Sequence, residues 1–110
     1  MSGYPEKTCS IARLVRRSSL VEAAIRGEKT QQRRDGVYAW PGESFDLRDS
    51  VFVVTDLYRQ RLGDMTDAEA RAEGYESLNA YRDSILHLHK GMQWNSDAMV
   101  WVHLFRRKDK

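Results

Sequence analysis

The sequence holds one cysteine, Cys9, and two prolines, Pro5 and Pro41, in 110 residues. A lone cysteine excludes an internal disulfide and a cysteine-built zinc site. No apolar run approaches the ~18 residues that a membrane helix needs, and residues 1–10 offer no hydrophobic stretch for a signal peptide. The chain has no glycine-rich phosphate loop and no G-x-S-x-G elbow. Histidines are scarce and badly spaced for metal. His87 and His89 lie two apart on a helical pattern, so they face different ways and cannot share an ion. His103 sits mid-strand among aromatic residues and reads as a packed neighbour. No metal, no cofactor and no membrane association are expected, and the cytoplasm is the expected location. Internal repeats and Pro/Gly/Ser-rich linkers are also missing, so residues 1–110 read as one domain with loose ends at 1–10 and 106–110.

What the chain does have is charge, unevenly placed. Charged residues make up 31% of it and the net charge is +2. Residues 1–34 carry eight Lys/Arg against three acids, residues 35–76 four against ten, and residues 77–110 six against three. Two basic ends around an acidic middle suit a bipolar surface with a phosphate-attracting face, although mixed, solvated charges satisfy the same counts.

Local patterns divide the chain into short elements. Ile11–Val15 reads as an edge strand. A helix from about Ser18 to Arg26 opens on the capping box Ser19/Glu22 and stops at Gly27. Glu28–Arg34 reads as a strand or extended loop, and Trp40-Pro41-Gly42-Glu43 as a type II turn into a strand at Ser44–Leu47. Val51–Tyr58 is rich in β-branched and aromatic residues and reads as a central strand. Thr66 and Glu69 form a second capping box, opening a helix that Gly74 closes. A third helix runs from Ser77 to about His89, and a last strand from Ala98 to Phe105. This order does not alternate as βαβ units do. It predicts an α+β fold in which a strongly curved or closed sheet carries helices on its outside.

The segment Gly27-Glu28-Lys29-Thr30-Gln31-Gln32-Arg33-Arg34 concentrates donors. In an extended chain Lys29, Gln31 and Arg33 share one face and Thr30, Gln32 and Arg34 the other. Cations and amides lining a concavity suit phosphates and base edges, while the same residues would also protect a solvated edge strand.

Gly27-x-Lys29-Thr30-x-x-x-Arg34 after an apolar helix resembles the opening signature of the ASCH domain, a branch of the PUA-like barrel superfamily. The resemblance continues through Pro41-Gly42-Glu43 and through Leu62-Gly63-Asp64-Met65-Thr66-Asp67-x-x-Ala70-x-x-Glu73-Gly74-Tyr75-x-Ser77-Leu78. It closes on Val100–Phe105 and covers about residues 18–107. It implies a small β-barrel with helices packed around it, and a cleft between the Lys29 strand and the Glu73 helix. It further implies binding of RNA or a nucleotide. One bacterial branch hydrolyses N4-acetylcytidine with a lysine, a threonine and a glutamate, and another member has been described as a ribonuclease. The lysine corresponds to Lys29 and the glutamate to Glu73. The threonine position is Gln32 here, which departs from the hydrolase pattern, and Thr30 faces the other way from Lys29.

Three readings follow for one cleft: an RNA- or nucleotide-binding module, a hydrolase of N4-acylated cytidine-type nucleosides, and a metal-independent ribonuclease. Whether the chain is an enzyme stays open at this point. Lys29 and Glu73 are the candidate catalytic residues, or else an ion pair that pins a helix. Arg34 is a candidate phosphate or base contact, or a second partner for Glu73. Trp40 and Tyr75 are candidate stacking surfaces. Thr30 and Gln32 are further candidate ligand contacts. Arg13, Arg16 and Arg17 before the first helix, and Arg106, Arg107, Lys108 and Lys110 after the last strand, could extend one phosphate-binding rim if the termini lie close, and a solvated tail after residue 105 is the alternative.

Overall fold

The computed structural model describes residues 4–88, 91 and 93–108. A 3-10 turn at Ile11–Arg13 precedes α1 (Ser18–Ile25) and β1 (Gln31–Arg34). Next come β2 (Ser44–Leu47), β3 (Ser50–Arg61), a 3-10 turn at Leu62–Asp64, α2 (Asp67–Glu73), α3 (Leu78–Leu88) and β4 (Met99–Arg107). The expected helix end at His89, and the role of that histidine, lie outside the described residues. The four strands form one antiparallel sheet in the order β1-β4-β3-β2. Long β3 and β4 make its spine, with an irregularity between Val54 and Asp56 that lets the sheet curl. The result is a half-barrel whose edge strands do not pair with each other, so the expected closure is partial.

Each face of the sheet has its own cover. Leu20, Val21 and Ala24 of α1 bury against Phe45, Phe52, Val54 and Phe105, whose three rings meet at 5.4–5.8 Å between centroids. On the other face, α2 meets β1 through polar side chains. A second apolar cluster joins α2 and α3 through Met65, Ala70 and Tyr81, and Tyr75 packs against both clusters. Gly74 makes this junction possible. It takes φ +107°, and a Cβ there would lie 3.1 Å from Leu20 Cδ2 and 3.8 Å from Lys29 Cβ. The end of α2 is thereby held against α1 and the Lys29 strand.

Several local expectations change. The Thr66/Glu69 capping box is present in both directions, but the Ser19/Glu22 box is not. Instead Arg48, from the β2–β3 turn, donates to Ser18 Oγ at 3.1 Å and pairs with Glu22 at 3.5 Å. Ile11–Val15 is no strand, because Ser10 Oγ caps the turn at Ala12 N and Leu14 and Val15 drop into the core. Among the described residues, 4–8 and 106–107 are tied to the fold. Thr8 N donates to Val37 O at 2.8 Å, and Trp40 holds residues 4–7 by stacking on Tyr4 and donating to Pro5 O. Arg106 and Arg107 pair with Val53 and Phe52 within β4. Among the described residues no helix is long and apolar enough to cross a membrane.

Candidate functional site

Alternation along β1 decides the chemistry. Lys29, Gln31 and Arg33 turn towards α2, where Glu73 supplies a buried carboxylate. Lys29 Nζ donates to Gln31 O at 2.6 Å, to Glu73 O at 2.8 Å and to Glu73 Oε1 at 3.4 Å. Arg33 Nη1 donates to Glu73 Oε2 at 2.9 Å and also to Gln31 Oε1. The rest of its guanidinium reaches Gln60 Oε1 at 2.7 Å and Glu69 Oε2 at 3.2 Å. Gln60 in turn donates to Glu69, whose Oε1 also accepts from Thr66 N in the capping box.

The lysine–glutamate pair inferred from sequence therefore exists, but it is sealed. The side chains are 0% and 1% exposed, and neither lines an open cleft. Burial lowers the Lys29 pKa, and Glu73 opposes that shift. All three ammonium hydrogens have acceptors, so the group acts as a pin. Arg33, not Arg34, is the second partner of Glu73. Lys29–Gln31–Arg33 alternation signals this in the sequence, whereas Gln60 and Glu69 carry no such signal. Among the described residues no group of three or more His, Cys, Asp or Glu could hold a metal.

The other face of β1 opens on solvent. A cleft of about 390 Å³ is lined by Arg16, Arg17, Leu20, Gln32, Arg34, Tyr75 and Ile85. A neighbouring cleft of about 400 Å³ shares Arg34 and Ile85 and adds Arg33, Asp35, Tyr38, Leu62, Tyr81, Trp94 and Val100. Arg34 stands between them, donating to Leu14 O at 2.8 Å and Arg13 O at 3.2 Å, with its guanidinium 5.2 Å from the Tyr38 ring. Arg17 crosses from the start of α1 to Tyr75 Oη at 3.4 Å and Ser84 Oγ at 3.1 Å.

Other candidates lie elsewhere. Thr30 is exposed and lines neither cleft, and Trp40 is spent on the N-terminal segment. Arg107 donates to Ile25 O, at the opposite end of α1 from Arg16 and Arg17. Eight helical residues span ~12 Å, and Arg106 points to the other face of the sheet from Arg107.

His103 backs β1 from within. Its Nε2 accepts from Tyr38 N at 3.0 Å, which leaves Nδ1–H to donate to Gln32 O at 3.2 Å. The ring is thus held neutral, and burial lowers its pKa from 6.5 to about 4. Because the folded pKa is the depressed one, stability is full above pH 6.5 and is lost as the pH falls towards 4, where the unfolded chain alone takes up the proton. The urea midpoint of the wild type should accordingly drop more between pH 7 and pH 5 than that of His103→Gln. Equal drops would mean that the imidazole titrates freely in the fold.

A curled antiparallel sheet with α1 on one face and α2 on the other is an α+β fold of the PUA-like type. Its likeness to solved structures assigns it more closely: the fold is ASCH-like. The ASCH domain from Lactobacillus crispatus superposes with a TM-score of 0.64 at 13% identity, over 80% of this chain and 69% of that one. A protein from Enterococcus faecalis described by the family model DUF984 superposes with a TM-score of 0.56 at 14% identity, over 81% of this chain and 66% of that one. No family model and no curated protein matches the sequence.

Proposed function

We propose that the chain is a binding module for RNA or a nucleotide, which it takes up in the cleft between the start of α1, β1 and α3. The observation that carries this reading is the lining itself. Three guanidiniums, from Arg16, Arg17 and Arg34, meet there without a carboxylate, beside the Tyr75 ring. Such a site favours an anion, and an aromatic wall beside it suits a base. The ASCH-like fold agrees with this reading. The hydrolase and ribonuclease readings depend on Lys29 as an accessible group, and its ammonium is enclosed with every donor engaged.

Titrating the chain into a short labelled single-stranded RNA at several salt concentrations, with a chelator present, tests the proposal. Affinity should fall with salt, at a slope of about −0.7 per phosphate neutralised. Binding that ignores salt, or no binding, would overturn it. A parallel incubation with N4-acetylcytidine, read by chromatography, should yield no product, and turnover would reinstate an enzyme.

A further inference from the structure

Gln32 lines the cleft, and one of its polar atoms, closed to solvent, has no partner within the fold. Gln32 is 8% exposed, yet its Oε1 has no hydrogen-bond partner. Its Nε2 donates to Arg33 O at 3.2 Å, so a flipped amide would set two acceptors against each other. The backbone on either side is fixed as well, with Gln32 O receiving His103 Nδ1–H and Gln32 paired opposite His103 in the sheet. A buried acceptor left bare is costly, and such an atom in a binding wall calls for a donor from outside.

We infer that Gln32 is a specificity-determining residue, accepting a hydrogen bond from the exocyclic amine of a nucleobase whose phosphate lies on Arg16 and Arg17. This inference rests on the nucleotide-binding reading above and narrows it. One Nε2 hydrogen is taken up by Arg33 O, so the unmet need of this amide is the one at Oε1, for a donor. An amine projects beyond the ring and can reach a recessed oxygen. The N–H of uracil is set back between two carbonyl oxygens, which would crowd the lone pairs of Oε1. Amino-bearing bases, cytosine and adenine among them, are thus favoured over uracil. Arg17 lies across the same cleft on Tyr75 and Ser84 through exposed contacts, and a phosphate can draw it from them.

The test is calorimetric titration of the full chain with nucleoside monophosphates in amino and deamino pairs. CMP is compared with its 4-deamino analogue and with UMP, and AMP with purine riboside monophosphate. Each amino member should bind about tenfold more tightly than its partner, as one satisfied hydrogen bond implies. In Gln32→Met, which keeps the length of the side chain and loses the acceptor, the ratio within each pair should fall below about twofold. The wild-type comparison needs no variant and so does not depend on the variant's folding. If the wild type binds RNA with normal salt dependence but the pairs bind equally, the role of Gln32 is overturned and the binding reading stands. If it binds neither RNA nor any monophosphate, both fall.

Discussion

Glu73→Leu is expected to lower the unfolding free energy by about 3–5 kcal/mol. The reason is what the substitution leaves behind. Lys29 and Arg33 are both buried, and Glu73 accepts from each of them. Glu69 is partly exposed and, of these two cations, pairs with Arg33 and not with Lys29. Leucine would leave the Lys29 ammonium enclosed without a counter-charge, and burial already disfavours its charged form. Urea unfolding at pH 7 measures the effect, as a shift of midpoint at constant slope. A loss under about 1 kcal/mol would mean that water reaches the cluster and screens it. Replacing the whole cluster, with Lys29→Met and Arg33→Met added, should restore much of the loss, because apolar groups of similar shape carry no desolvation cost.

The second large effect concerns binding and should leave the fold alone. Arg16→Ala combined with Arg17→Ala removes two of the three cations of the open cleft. Both side chains are exposed, so stability should change by less than about 0.5 kcal/mol. RNA affinity at low salt should fall roughly 10- to 100-fold, the worth of one or two charge-assisted hydrogen bonds. The salt slope should become shallower by about 1.4, at ~0.7 for each phosphate that is no longer neutralised. The paired outcomes separate two roles that β1 combines: Glu73→Leu costs folding, and the arginine pair costs binding. If the double variant bound RNA as the wild type does, the cationic cleft would not be the site.

Much of the fold can be read from local chemistry. Thr66 with Glu69, Gly42 in the turn before β2, and the β-branched run of β3 act within a few residues, so each announces its element. The misreadings have distant causes. Ser19 and Glu22 match a capping box, but Arg48, 26 positions beyond Glu22, claims the carboxylate (48 − 22 = 26). Trp40 reads as a stacking surface because nothing near it shows that Tyr4 and Pro5 fold back onto it.

The site divides the same way. Alternation separates Lys29, Gln31 and Arg33 from Gln32 and Arg34, and the resemblance points to Lys29 and Glu73. Which face is sealed and which is open depends on α2 docking at one and α1 beside the other. Both docks meet at Gly74, whose missing Cβ leaves room for Leu20 and Lys29 together. That packing joins positions tens of residues apart, and no periodicity encodes it.

The two-faced strand also constrains how such a chain can diverge. Odd positions of residues 29–34 are bound into stability, while Gln32 and Arg34 face the cleft, so ligand preference can drift by substitution at even positions with the scaffold intact. Length has no such freedom. Inserting or deleting one residue between Gly27 and Gln31 would exchange the two sets, sending Arg34 towards Glu73 and Lys29 into solvent. Among descendants of this sequence, this stretch should therefore vary in composition at alternate sites and hardly at all in length.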